Sequence, residues 1–217
     1  MTRVGHVIYL HGFASSPASS KATYFARKLA DLGIGCSCPN FNEPDFESLT
    51  VTRMLGQTSR AIASAPRGPV ALIGSSLGGF VAVHAAACDL THRVDRLVLL
   101  APAFDFGGNR LRQLGEQGID EWRRSGHLSV YHYAHGQERT VGFSLYEDAG
   151  AYDAFALEVS VPTLIVQGKF DDTVQPETVE RWARNRSNVD LHLVDDGHQL
   201  TDSMGYIWQA SLILLGV

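Results

Sequence analysis

The sequence predicts an α/β fold: a mostly parallel, about six-stranded sheet between two helix layers, with a small insertion in the second half. Three observations carry this. Short apolar runs recur along the chain, most of them lack polar alternation, and helical patterns separate them. Parallel strands covered on both faces read as continuous apolar runs, and each crossover needs a helix.

The strands in order are "HVIYL" (6–10), "GCSCP" (35–39), "VALIG" (70–74), "RLVLL" (96–100), "TLIVQ" (163–167) and "DLHLV" (190–194). Helical patterns lie between or after them: "SKATYFARKLADLG" ending at Gly33, "LTVTRMLGQTSRAIASA", "LGGFVAVHAAAC", "ETVERWARNR" and "QLTDSMGYIWQASLILLG". Strand and helix therefore alternate, as right-handed βαβ units require. The rhythm breaks over 104–158, too long for a plain loop. That interval holds one amphipathic segment, "RLRQLGEQGIDEWRRSG", and a stretch with room for short strands. It reads as a cap-like insertion in one domain spanning 1–217. Nine of the chain's twenty aromatic residues fall inside it. They suit both a pocket wall and the insertion's own small core. The "RVDR" run at 93–96 reads as a solvated turn.

Composition narrows the function. The chain has 217 residues, 45% apolar and 19% charged, enough to bury a sizeable core. A net charge of −5 argues against nucleic acid as a partner, because phosphate neutralisation needs a basic surface. No apolar run approaches the roughly 18 residues of a membrane helix. The opening "MTRVGHVIYLHGF" has too little charge and too short an apolar run for a signal peptide, so the expected location is cytoplasmic. Cys36, Cys38 and Cys88 read as structural thiols. His127, His132 and His135 cluster in the insertion, but their spacing fits no common zinc pattern. No metal or cofactor is expected.

The chemistry is concentrated at strand ends, where open α/β sheets bind ligands. "VALIGSSLGGF" runs from a strand through Gly74, Ser76 and Gly78 into a small-residue helix. A sharp turn between strand and helix leaves no room for side chains at 74 and 78, and glycine removes them. Ser76 then stands at a helix N-terminus, where free amides and the dipole favour developing negative charge. Three further signals follow other strands: "HGFASSP" after the first, "GKFDDTV" after the fifth and "DDGHQL" after the sixth.

Together these resemble the α/β-hydrolases. The G-x-S-x-G turn and the order Ser76, Asp171, His198 match that superfamily. Among its members the chain is similar to small bacterial serine esterases whose first loop reads "LHGFxSSPxSxK", here "LHGFASSPASSK". The resemblance implies a compact version lacking two N-terminal strands of larger relatives. It implies Ser76 as nucleophile, with Ser75 in the variable slot, His198 as general base and Asp171 as acid. It places the oxyanion hole at the backbone N–H groups of Phe13 and Leu77, with Gly12 letting the first loop come close. His11 would order that loop. Gln167 stands where the family usually has His, outside the proton chemistry, and Gly197 would help the His198 loop turn. Asp172 and Asp105 are competing acids, and spacing from Gly168 favours Asp171.

The implied activity is a serine carboxylesterase that hydrolyses small carboxylic esters through an acyl-Ser76 intermediate. An acyl-thioesterase with the same triad, or a non-catalytic hydrolase-fold protein binding a hydrophobic ligand, are the alternatives. The expected partner is a small-molecule ester, with no membrane involved. The oligomeric state stays open.

Overall fold

Strand β1 (His6–Leu10) divides its side chains between two cores. Val7 and Tyr9 enter one hydrophobic cluster, Ile8 and Leu10 the other. This is the period-two alternation of a strand covered on both faces. β3 (Val70–Ser75), β4 (Val94–Leu100) and β7 (Thr163–Gly168) split in the same way. One cluster is closed by α1 (Ser20–Asp31) through Ala22, Phe25 and Leu29, and by α7 (Met204–Leu215) through Ile207, Trp208 and Leu215. The other is closed by α2 (Val51–Ser64), α3 (Leu77–Ala87) and α6 (Pro176–Ala183). The computed structural model describes residues 4–217; residues 1–3, with the lone arginine of the opening stretch, lie outside the described residues.

With β2 (Gly35–Ser37) and β8 (Val189–Val194), the sheet has six strands, all parallel, in the order β2-β1-β3-β4-β7-β8. The predicted α/β class and strand number are therefore observed. Register aligns the carboxyl ends: Leu10 lies beside Gly74, Ser75 beside Leu100, and Gly168 beside Val194. Loops leaving neighbouring strands thus emerge along one edge. Strain collects there too. Ala14, Ser76, Ala101 and Leu200 all have positive φ without being glycine, and each follows a sheet strand.

The 104–158 segment forms α4 (Phe106–Ser125), broken at Gly115, then an antiparallel hairpin of β5 (His127–His132) and β6 (Gln137–Gly142), then α5 (Ser144–Ala149). Its aromatics divide by role. Trp122 is buried, donates its indole N–H to Val141 O at 3.1 Å and meets Phe143 edge-on. Tyr131 and Tyr133 stay exposed. The hairpin is tied to the rest of the chain by Tyr133 N–H to Ala14 O (3.0 Å) and Gly142 N–H to Glu47 O (2.8 Å).

Two expectations are corrected. "RVDR" is not a solvated turn. β4 begins at Val94, Arg96 is buried, and Arg93 donates to the carbonyls of Ile62, Ala65, Pro66 and Gly68, closing the end of α2. The last helix starts at Met204, not near Gln199. Asp196 Oδ2 accepts the N–H groups of Asp202 and Ser203 at 3.0 Å each, which holds residues 197–203 as a turn.

Candidate active site

The turn between β3 and α3 is built by what cannot fit in it. A Cβ on Gly74 would lie 2.4 Å from Gly78 O, and one on Gly78 would lie 2.0 Å from Leu10 O. Both clashes are with backbone, which cannot step aside. Between these glycines Ser76 adopts φ 53°, ψ −116°, a conformation unusual for a residue with a Cβ. The two serines separate sharply. Ser75 is the last residue of β3 and 7% exposed. Ser76 is half-buried and opens onto a cavity of about 860 Å³.

His198 lines the same cavity from the loop after β8. Its Nδ1 donates to Asp171, 2.9 Å from Oδ2 and 3.1 Å from Oδ1. Asp171 follows β7, is 4% exposed, and accepts the N–H groups of Thr173 and Val174 on Oδ1. Burial alone would raise its pKa. The hydrogen bond and charge of His198, with those from Val174 and Gln167, outweigh burial and hold it below the usual carboxylate value. Asp171 is thus an anion fixed against the imidazole, which sets the His198 tautomer with its proton on Nδ1.

The first loop closes the site from the β1 side. Gly12 and Phe13 line the cavity, and a Cβ on Gly12 would lie 3.3 Å from Ser75 O and 3.5 Å from Ser76 Cβ. Leu77 opens α3, so its N–H has no acceptor inside the helix. His11 is buried. Its Nδ1 lies 2.9 Å from Gly12 O, and its Nε2 accepts Phe41 N–H at 3.0 Å. Burial lowers its pKa to about 4, outweighing the Gly12 hydrogen bond, so it is neutral near pH 7 and ties the loop.

The remaining candidates fall elsewhere. Asp172 is exposed and accepts from Thr173 Oγ1, while Asp105 precedes α4. Gly197 is not the glycine that the His198 loop needs: its φ is ordinary, and the nearest atom to an added Cβ is 3.9 Å away. That role passes to Gly168, where a Cβ would lie 2.5 Å from Asp196 O.

Sequence reasoning left Gln167 outside the chemistry. Its buried amide donates to Asp171 Oδ2 at 2.9 Å, and the same nitrogen lies near Gly168 O and Val174 O. A polar residue ending an otherwise apolar strand was the available signal. Lys21, the last residue of "ASSK", is also in the cavity wall.

Comparison with known proteins bears on the family and the fold. The profile of an uncharacterised protein family, UPF0227, matches residues 6–214. No curated protein matches the chain. Among solved structures, a protein described as a hydrolase from Agrobacterium vitis S4 superposes with TM-score 0.86 at 24% identity, over 98% of this chain and 88% of that one. One described as an α/β-superfamily hydrolase from Xanthomonas campestris is 26% identical, with TM-score 0.66 and 98% of both chains covered. A structure from work on the metagenome-derived lipolytic enzymes LipS and LipT gives TM-score 0.76 at 18% identity, over 99% of this chain and 96% of that one. The fold is the α/β-hydrolase fold.

Proposed function

The chain belongs to the uncharacterised protein family UPF0227, and we propose that it is a serine hydrolase, a carboxylesterase acting on small esters. One observation carries the reading. Ser76 sits on a strained strand-to-helix turn and shares its cavity with a His198 whose Nδ1 is held by the anionic Asp171.

With Nδ1 so engaged, Nε2 is the nitrogen left to take the Ser76 proton. Ser76 Oγ attacks the ester carbonyl, and the oxyanion is met by the N–H groups of Leu77 and Phe13. His198 returns the proton to the leaving oxygen, giving acyl-Ser76 and the free alcohol. Water, deprotonated by the same imidazole, then releases the acid. Asp171 keeps the tautomer and stabilises the imidazolium. None of these steps calls on a metal or cofactor. The 104–158 segment is the cap over this site, with Tyr131 and Tyr133 in the cavity wall. The lipolytic naming of LipS and LipT, and the α/β-hydrolase fold itself, support an ester as substrate.

The test is a panel of nitrophenyl esters of increasing acyl length, run beside acyl-CoA thioesters, on the wild type and Ser76→Ala. Ester turnover that falls by about three orders of magnitude in the variant supports the reading. Turnover surviving in Ser76→Ala refutes it.

A further inference from the structure

Among the residues lining the cavity, Lys21 alone is Lys, Arg, Asp or Glu; most of the polar remainder are hydroxyl side chains. Its ammonium donates to Gln199 O at 2.7 Å and to Gln199 Oε1 at 3.2 Å. Both acceptors are neutral, and among the described residues Lys21 forms no ion pair. Burial lowers its pKa, against the smaller opposing pull of Asp196 and Asp171. Both carboxylates are already engaged, Asp171 as described and Asp196 by the N–H groups of Gly197, Asp202 and Ser203. The ammonium therefore has Gln199 and water around it but no carboxylate partner, and a tie to two neutral oxygens does not by itself call for a charge.

Its place in the site gives the charge a use. Gln199 directly follows His198, so Lys21 stands on the His198 side of Ser76. The imidazole must reach the leaving oxygen to protonate it, so the leaving group lies on that side too. We propose that Lys21 is a specificity residue of this site, recognising an anionic group, carboxylate or phosphate, on the alcohol part of the ester. The inference rests on the serine-hydrolase reading and adds the substrate class to it. The substrate supplies the missing counter-ion, and a charge-assisted hydrogen bond discriminates against the neutral analogue.

The experiment compares three esters: phenyl butyrate, 3-carboxyphenyl butyrate with the anion on the leaving group, and phenyl hemisuccinate with the anion on the acyl group. Wild type, Lys21→Met and Lys21→Arg are assayed for kcat/KM. The ratio of 3-carboxyphenyl to phenyl butyrate is expected to fall about tenfold or more in Lys21→Met and to be largely kept in Lys21→Arg. A loss common to all three esters reports only the Gln199 tie, and if the ratio stays unchanged the inference is overturned. A loss confined to phenyl hemisuccinate also overturns it. A second readout avoids turnover: 3-hydroxybenzoate or phenyl phosphate, but not phenol, should slow fluorophosphonate labelling of the wild type and not of Lys21→Met. Protection by only one of the two anions identifies the group recognised, and protection by neither overturns the inference. If no ester turns over and Ser76 is not labelled, the serine-hydrolase reading falls first and takes this one with it.

Discussion

Gln167 and His198 donate to the same oxygen, Asp171 Oδ2, each at 2.9 Å. The Asp171 carboxylate is therefore held from two sides, by an imidazole and by an amide, and in the proposed mechanism only the imidazole moves protons. Asp171→Asn should lower kcat by about two to four orders of magnitude with little change in KM, as an amide favours the wrong tautomer. Gln167→Leu should be milder, about tenfold, because the N–H groups of Thr173 and Val174 still fix Oδ1. Asp172→Asn and Asp105→Asn should stay within about tenfold of wild type. Full activity in Asp171→Asn, with collapse in Asp105→Asn, would move the acid to the end of β4.

Glycine is required unequally in the loops around the site. Gly78→Ala drives a methyl group into Leu10 O, so about 1–3 kcal/mol of stability should be lost, or the variant should not fold. Gly197→Ala meets nothing closer than 3.9 Å and should melt near the wild type. Thermal melts of the pair decide this; equal losses would contradict the crowding argument.

His11 makes the fold acid-sensitive in a defined window. Burial lowers its pKa from 6.5 to about 4, so between those values the unfolded chain binds a proton that the folded one does not. Its contribution is fully present above about pH 6.5, and roughly 3 kcal/mol is lost as pH falls through about 4. Denaturant titrations of the wild type should show that slope. His11→Phe should be less stable at pH 8, since Phe41 N–H and Gly12 O lose their partner, yet should lose less between pH 6.5 and 4.5. Parallel slopes would remove His11 as the source.

Tyr131 and Tyr133 are the aromatics of the 104–158 segment that both line the cavity and remain exposed. Tyr131→Ala and Tyr133→Ala should change relative kcat/KM between short and long acyl esters by about tenfold or more, at roughly 1–3 kcal/mol per apolar contact. Trp122 holds the segment's own core, so Trp122→Ala should lower the melting temperature instead. Unchanged selectivity in both tyrosine variants would make the segment structural only.

The fold was legible because its signals are local. β1, β3, β4 and β7 each carry a buried apolar run, and each glycine of the β3–α3 turn precludes a specific clash. What was missed depends on distant partners. Arg93 and Arg96 read as solvated charges because the carbonyls ending α2, and Leu214 O near the end of α7, lie far away in sequence. Gln199 reads as the start of a helix until Asp196 is seen capping residues 202 and 203. At the candidate site, Ser76, Asp171 and His198 were marked by strand ends and by the resemblance to the α/β-hydrolase pattern. Gln167 and Lys21 carry no such pattern, since their meaning comes from an acid four residues on and a loop carbonyl across the cavity.

The central claim is that Ser76 is the nucleophile, and the most direct measurement is the site of covalent modification. The wild type would be treated with a fluorophosphonate, digested, and the peptide spanning "GSSLGG" sequenced by mass spectrometry. The account predicts one adduct, on Ser76, lost in Ser76→Ala and kept in Ser75→Ala. An adduct on Ser75, or no adduct on the native protein, would contradict it.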